Sequence, residues 1–552
     1  MTEGKAPVRL ELTWPNKDKF LLIPRDDDGK PVWVEPTHPA AHEVRLTTFT
    51  GAVGEVNEAD PFADNLAFRG DSLDVLRVLR DVPEYAAHYR GKVKLVYIDP
   101  PFNTGQTFTH YDDWMEHSVW LSFMRDRLLL IKDLLAPDGS VWVHLDDAEV
   151  HRMRCLMDEV FGGGNFVSTV VWEKVERPRM DAKGFSARHD SILVFSRSAT
   201  FSPNGIGHTE LPSYYNLTDG DGRVYTRAQL RKGGSNSRRE DRPNLFYPIK
   251  APDGTDIYPK RDDGIDGRWR WSKKKMLAEY DTLEWVQGRR GWNPYTKIFA
   301  DNLSSKPPET IWLRAEMDTN TVAKKEIKAL FPGVNPFDTP KPERLLERVI
   351  HIASNPGDIV LDCFGGSGTT AAVAHKMGRR WVTVELSEST LADFIAPRIT
   401  KVINGEDSGG ITVATEWSGG GGFRTVEVEP SLYEVMDDGL VLLREDLSGT
   451  DLARAMCGQL GFIYDADHPP FCGQQGRMRL VVIDGVVGTE EIRNLTEQLA
   501  DNQRVTIAAT AALHGGEDLL KDFSRGSRLL KIPRDVLERS SRRIQQRREA
   551  TK

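Results

Sequence analysis

Hydrophobic positions along this chain gather into short continuous runs and helical stripes, separated midway by a long stretch that has neither. Residues 1–90 carry short apolar stretches broken by Pro, Gly and Asp. Within them, 71–80 (DSLDVLRVLR) has a helical repeat, with Leu73, Leu76 and Leu79 on one face and Asp71 placed to cap it. KLVYID then runs without a break to Asp99, the pattern of a strand buried on both faces of a parallel sheet. The segment 120–135 (WLSFMRDRLLLIKDLL) predicts an amphipathic helix that stops at Pro137-Asp138-Gly139, and SVWVHL (140–145) predicts a second buried strand. Strand, helix and strand in this order make a βαβ unit. From 175 to 308 the periodicity fails, and Gly, Pro, Arg, Trp and Tyr dominate. It returns at 340–400 with a helix (342–352), a strand (358–362), a Gly-rich turn, a helix (369–377) and a strand (381–385). A Gly-rich stretch at 418–422 precedes MRLVVID (478–484), VTIAAT (505–510) and SRLLKIP (527–533), which predict a small α/β domain. A basic tail, RSSRRIQQRREATK, follows, and the chain has no internal repeats.

Composition narrows the class. With 552 residues the chain has room for three or four domains. The hydrophobic share of 39% and charged share of 28% are those of a globular protein. No apolar run is long enough for a membrane helix, and the N-terminus lacks a secretion-signal layout, so a cytoplasmic protein with no membrane partner is expected. Cys155, Cys363, Cys457 and Cys472 are scattered, without a C-x-x-C pair, which argues against a zinc site or a disulfide framework. Net charge is −9, yet 221–300 holds 18 Lys and Arg against 11 Asp and Glu. A basic segment within an acidic chain points to a module with its own task, and one basic face suffices for DNA.

Two motifs carry chemistry. Asp99-Pro100-Pro101-Phe102 directly follows a buried strand. The prolines fix the backbone and remove two N–H donors, leaving a carboxylate and a proline carbonyl free to face one spot. Such an acceptor pair holds a planar group bearing an exocyclic amine, with Phe102 placed to stack on its face; a plain turn is the competing reading. The second motif, Asp362-Cys363-Phe364-Gly365-Gly366-Ser367-Gly368-Thr369-Thr370, joins a strand to a helix. Its glycines let the backbone approach a ligand, and the helix start offers unpaired N–H groups. Glu385 ends the next strand, 23 residues after Asp362, where an acid typically takes the ribose hydroxyls of an adenosine-bearing ligand. No Walker A lysine follows, so the chain carries no ATPase motif of its own.

Together, Asp-Pro-Pro-Phe and Phe-Gly-Gly-Ser-Gly-Thr resemble the paired signatures of amino-group DNA methyltransferases. The catalytic motif comes first and the cofactor motif 263 residues later (362 − 99), an order similar to the permuted β class. DPPFNTGQTFTHYDDW (99–114), HSVWLSFMRDRLLL (117–130), GSVWVHLDDAEVHRMRCLMDEVFG (139–162), RPNLFYPI (242–249), GRWRW (267–271), TPKPERLLERVI (339–350) and GGGFR (420–424) further resemble the modification subunits of type III restriction systems. The resemblance runs from about 60 to 425. It implies an α/β fold, a Rossmann-like S-adenosylmethionine-dependent methyltransferase sheet with permuted motif order. An inserted target-recognition region and a small C-terminal α/β domain complete it. The expected divisions are an N-terminal extension (1–60), a catalytic half (61–174), the insert (175–335), a cofactor-binding half (336–425) and the C-terminal domain with its tail (426–552).

The resemblance also assigns roles. Asp99 and the Pro100 carbonyl accept the two hydrogen bonds of the target amine, Pro101 completes the turn, and Phe102 stacks on the extruded base. Asp362, Phe364, Gly365, Gly366, Ser367, Gly368 and Thr369 shape the S-adenosylmethionine pocket with Glu385 on the ribose. Thr339, Lys341 and Pro342 close over the methionine end. In the insert, Arg231, Lys232, Arg238, Arg239, Arg268 and Arg270 are the expected contacts to duplex DNA, and 273–275 and Trp269, Trp271 and Trp292 are either further contacts or solvated face and local core. The implied activity is methyl transfer to adenine N6 in a restriction-modification or related defence system, with a restriction or helicase subunit and a second copy of the chain as partners. Cytosine N4 as the target, and a mainly DNA-recognition role, stay open. No metal is expected: His144, Asp146 and Asp147 at a strand end match acidic positions that serve relatives without one.

Overall fold

The computed structural model describes residues 11–23, 30–103, 115–178, 180, 182, 184–207, 214–288, 291–300, 306–435, 441–443 and 449–532. The basic tail and residues 104–114 of the stretch after Asp99 lie outside the described residues. The chain forms two compact units, one of Met1–Asn204 with Glu309–Lys552 and the other of Gly205–Pro308.

The larger unit is built on a ten-stranded sheet. In chain order its strands are β1 (Thr47–Gly54), β2 (Asn65–Arg69), β3 (Val93–Ile98), β4 (Leu135–Leu145), β5 (Phe166–Glu173), β6 (His189–Ser196), β7 (Ile311–Trp312), β8 (Ile359–Asp362), β9 (Arg380–Glu385) and β10 (Gly422–Val428). Across the sheet the order is β7-β5-β6-β4-β3-β8-β9-β2-β10-β1. The six strands from β4 to β10 run parallel, and antiparallel pairings flank them at β4–β6 and β10–β1. The two apolar runs of the sequence, β3 and β8, are direct neighbours, with Leu361 opposite Val96. Every residue of β8 is buried, which is why its sequence shows no alternation.

Helices occupy the crossovers. In α1 (Ser72–Asp81), Leu73, Leu76 and Leu79 are buried and Asp71 caps the start by accepting from the Leu73 amide at 2.7 Å. α2 (Pro83–Tyr89) follows it. α3 (His117–Leu134) begins three residues earlier than its periodicity predicts and buries residues around most of its circumference. An N-terminal segment covers its outer face: the Trp14 indole donates to Ser122 Oγ at 2.8 Å. A helix coated on both sides needs no polar stripe. Beyond it come α4 (Val150–Met157), α5 (Glu343–Ala353), α6 (Thr369–Lys376) and α7 (Ala396–Ile403).

β6 departs from the sequence reading, in which periodicity fails from 175. His189–Ser196 is a buried strand of the main sheet, clamped antiparallel between β4 and β5. Its apolar core, Ile192 to Phe195, is only four residues long, too short to stand out among polar neighbours.

The C-terminal part of this unit holds a separate five-stranded sheet, in which Met478–Val487, Arg504–Ala512 and Arg528–Lys531 are adjacent and parallel. They correspond to the three apolar runs of the sequence. The smaller unit carries a four-stranded sheet formed by Leu217–Thr218, Val224–Gln229, Glu284–Gly288 and Gly291–Phe299, and a core of Leu230, Tyr247, Ile249, Trp269, Met276 and Leu283. Among the described residues, no helix is long and apolar enough to cross a membrane.

Candidate active site

The chain leaves β3 through α3 to reach β4 on one side and leaves β8 through α6 to reach β9 on the other. Two neighbouring parallel strands whose continuations diverge leave a crevice at their carboxyl ends, where ligands bind in open α/β sheets. Asp99 follows the last residue of β3 and Asp362 is the last residue of β8, so the topology itself brings the two sequence motifs together.

A cavity of about 400 Å³ occupies this crevice. From the first motif Asp99 and Pro101 line it, and Thr339 and Lys341 line it from the segment before α5. From the Gly-rich turn come Asp362, Phe364, Gly365, Gly366, Ser367 and Thr369, and Glu385 completes the wall. Four of the sequence-selected residues do not line it. Pro100 is buried. Gly368 caps α6 in the left-handed conformation (φ 73°). Pro342 caps α5. Phe102 lies half-buried with its ring stacked on the His144 imidazole, 6.0 Å between centroids and 17° between planes.

The acidic groups differ in how they are held. Asp99 Oδ2 accepts from Lys341 Nζ, while Asp99 Oδ1 is buried and has no hydrogen-bond partner among the described residues. Asp362 Oδ2 accepts from Thr370 Oγ1 at 2.6 Å and Oδ1 from the Phe364 amide at 3.0 Å. Burial dominates these bonds and, with the charge of Asp99 adding to it, pushes the Asp362 carboxyl up to about 7. Glu385 accepts from the Gly366 amide and the Ser387 amide, each at 2.9 Å, and burial holds its carboxyl above the usual range despite those bonds. Thr390 Oγ1, also on the cavity wall, is buried without a partner among the described residues.

The Gly-rich turn packs too closely for side chains. A Cβ at Gly365 would stand 2.6 Å from Thr383 Oγ1 and 3.1 Å from the Val384 carbonyl oxygen, and Gly366 has a positive φ of 51°.

Two supporting networks escaped the sequence reading. Arg398, buried on α7, donates to the Ser367 carbonyl (3.2 Å), Thr369 Oγ1 (2.8 Å) and Glu343 Oε1 (2.8 Å). Glu343 Oε2 also accepts from Lys376, which pairs with Asp407 at 2.6 Å. This buried cluster pins the Gly-rich turn from behind. The second chain runs beneath the first motif. Tyr97 OH lies 2.8 Å from His144 Nδ1, His144 Nε2 lies 3.2 Å from Asp190, and Lys174 reaches Asp190 at 2.6 Å. Burial alone would push Asp190 up, but the His144 bond and the charges of His144 and Lys174 outweigh it and hold the carboxyl at about 2. His144 thus has both ring nitrogens in hydrogen-bond contact while its ring stacks on Phe102. Among the described residues, no group of three or more His, Cys, Asp or Glu side chains is placed to hold a metal.

Within the smaller unit the selected cations divide. Arg231 pairs with Asp262 (2.8 Å), Arg239 pairs with Asp266 (3.3 Å), and Arg268 donates to the Asn236 carbonyl. Lys232, Arg238 and Arg270 have no side-chain partner among the described residues. Trp269 is core, 2% exposed, with its indole N–H on the Tyr247 carbonyl. Trp271 packs against that core, and the Trp292 indole donates to Asp253.

A family model described as DNA methylase matches residues 93–396, more than half of the chain. The chain is 29% identical over 399 residues to the type III restriction-modification enzyme EcoPI Mod subunit of Escherichia phage P1, a match covering 63% of this chain and 59% of that protein. It is 31% identical over 434 residues to the probable type III restriction-modification enzyme HindVI Mod subunit of Haemophilus influenzae, covering 69% and 56%. It is 30% identical over 302 residues to the type II methyltransferase M.KpnI of Klebsiella pneumoniae, covering 51% and 71%. The chain thus spans somewhat more than half the length of the two Mod subunits. The matched span opens on β3 and holds Asp99, Lys341, Asp362 and Glu385 around one crevice, and this chain belongs to the DNA methylase family.

Proposed function

We propose that this chain is a site-specific DNA methyltransferase that moves a methyl group from S-adenosylmethionine to the N6 amino group of adenine in duplex DNA. The observation that carries the reading is the buried Oδ1 of Asp99, without a hydrogen-bond partner among the described residues, on a side chain lining the same cavity as the Gly-rich turn and Glu385. Leaving such an acceptor unmatched costs about 1–3 kcal/mol, so its retention points to a donor that arrives with the substrate.

The residues present fit the cofactor. A cavity of about 400 Å³ suits a ligand of that size, and Glu385 with the orphaned Thr390 hydroxyl supplies acceptors for a ribose diol. Asp362, Gly365, Gly366 and Thr339 also line this cavity. Bound there, the cofactor supplies an electrophilic methyl on a sulfonium.

The protein's own contribution is to prepare the amine. An adenine amino nitrogen is a weak nucleophile because its lone pair is delocalised into the ring. Hydrogen bonds to Asp99 Oδ1 and the Pro100 carbonyl favour pyramidal nitrogen and direct the lone pair outward. Phe102, braced on His144, offers its ring to the base. Holding two reactants in one crevice supplies much of the acceleration, after the base has left the duplex. No covalent enzyme intermediate is required.

Asp at the first motif position favours adenine over cytosine N4. The smaller unit, with Lys232, Arg238 and Arg270 lacking a side-chain partner among the described residues, is the proposed site-reading module. The similarity to Mod subunits supports a place in a type III restriction-modification system, with a restriction subunit and a second copy of the chain as partners.

The test is transfer of labelled methyl to a diverse set of duplex DNAs, with nucleoside mass spectrometry of the product. N6-methyladenine from the wild type and none from Asp99→Ala, with cofactor still bound by both, is expected. Cofactor binding without methylation of any DNA, or unchanged methylation by Asp99→Ala, refutes the reading.

A further inference from the structure

Lys341 and Asp99 stand 242 residues apart in the chain and meet in the cavity, Nζ donating to Oδ2. The lysine side chain is only 9% exposed, so this is no surface cation that happens to reach a carboxylate. Pro340 and Pro342 flank it, and their rings limit where its backbone can go. Pro342 is extended (φ −70°, ψ 145°) at the cap of α5, so Lys341 precedes the helix, and its side chain lines the cavity. Its ammonium also lies 5.3 Å from the centroid of the Phe102 ring. The lysine thus contacts Asp99 directly and lies near the ring of Phe102, the two side chains of the first motif that the proposed function assigns to the base.

Other charged or titratable groups surround the carboxylate. Asp362 ends the neighbouring strand, Tyr97 precedes on β3, and Asp190 on β6 lies close enough for the Lys341 charge to act on it. Lys341 is the cation in hydrogen-bond contact with Asp99 among the described residues.

A carboxylate offers two equivalent oxygens and can swing about its Cβ–Cγ bond. An amine meeting a free carboxylate finds several poses, of which few aim its lone pair correctly. Here one oxygen is already engaged by a hydrogen bond between charged groups, among the stronger kinds in proteins. The other is buried and has no hydrogen-bond partner among the described residues, on a side chain that lines the cavity. The geometry points to Lys341 as a positioning residue that locks the Asp99 carboxylate and leaves Oδ1 as the single acceptor offered to the target amine. This rests on the reading of Asp99 given above, and it gives Lys341 a duty on the amine side of the site rather than over the methionine end of the cofactor.

If so, the effect of Lys341 passes through the Asp99 charge. The experiment is single-turnover methyl transfer to duplex plasmid DNA by the full chain, at varied cofactor concentration. The proteins are the wild type, Lys341→Met, Lys341→Arg, Asp99→Asn, and Lys341→Met combined with Asp99→Asn. Lys341→Met is expected to lower the maximal rate about 30-fold while changing the cofactor KM by less than about threefold. Lys341→Arg, which keeps a cation and its donors, is expected to recover the rate to within about fivefold of wild type. In the Asp99→Asn background, whose amide carries no charge, Lys341→Met is expected to change the rate by less than about threefold. A loss that falls on the cofactor KM, an equal loss in both backgrounds, or an arginine variant as slow as the methionine one overturns the inference. A wild type that methylates no DNA fails at an earlier step, and with it falls the functional reading itself.

Discussion

Asp362 gives the sharpest test of the electrostatics of this site. In the unfolded chain its carboxyl ionises near the ordinary value of 3.8, whereas burial moves it to about 7 in the folded protein. A raised folded value means the neutral form is favoured by folding. The associated stability is complete at low pH and is lost as pH rises through about 7. The difference of about three units, at 1.36 kcal/mol per unit, corresponds to about 4 kcal/mol. Asp362→Asn removes the charge and keeps an oxygen for the Phe364 amide, while Thr370 can turn its hydroxyl to accept from the new amide. The variant should therefore match the wild type near pH 4 and exceed it by up to about 4 kcal/mol above pH 8. Melting temperatures of both proteins across this range, without ligand, measure the gap. A gap that stays constant with pH, or closes as pH rises, refutes the assignment of a buried carboxyl held neutral by its surroundings. A companion measurement links stability to function. A sulfonium cofactor brings positive charge and favours the ionised carboxylate, so adding it should raise the melting temperature of the wild type at high pH more than that of the variant.

Further outcomes follow from the same structure. Arg398→Met leaves Glu343 with Lys376 as its remaining cation and frees the Ser367 carbonyl, so stability should fall by about 3 kcal/mol and cofactor affinity by about tenfold, read by thermal melting and equilibrium dialysis. Replacing Lys232, Arg238 and Arg270 together with Ala should weaken binding to all duplex sequences and flatten the dependence of log affinity on log salt by about 0.9 for each phosphate contact removed. Arg231→Ala, already paired with Asp262, should change that slope less; a larger change from Arg231 than from the triple variant would contradict the division of these cations.

How much of this was legible depends on the range of the interaction. β3 and β8 announce themselves because strands buried on both faces need unbroken apolar runs. The Asp71 cap is readable because its partner amide lies two residues away. The Gly-rich turn is readable because Gly365, Gly366 and Gly368 serve backbone geometry that other residues resist. β6 was hidden by the polar residues around it, and its membership in the main sheet depends on pairing with strands that end 16 and 44 residues before it begins. The amphipathic reading of α3 failed to anticipate Trp14 on its outer face, since which segment covers a helix is a tertiary fact. Arg398 with Glu343 and Lys341 with Asp99 have no local signature. Asp99 and Lys341 stand out singly by their motifs, but in each pair only the packing of distant elements supplies the partner.

The placement of the acids follows a single electrostatic constraint. Two neighbouring parallel strands end in Asp99 and Asp362, and two uncompensated negative charges in one buried crevice repel strongly. The structure answers differently at each end. Lys341 neutralises Asp99 by direct contact, so this carboxylate can serve as an acceptor without a ligand present. Asp362 has no ion pair among the described residues and is instead held toward its neutral form by burial and by the charge of its neighbour. A site that only needed to fold would be more stable with an amide at 362. Keeping a carboxyl there makes sense if a cation enters from that side, which is the half of the crevice walled by the Gly-rich turn and Glu385. On the proposed function, the uneven treatment of two similar side chains separates the crevice into an amine-facing half and a cation-facing half, as transfer of a methyl from a sulfonium to a nitrogen requires.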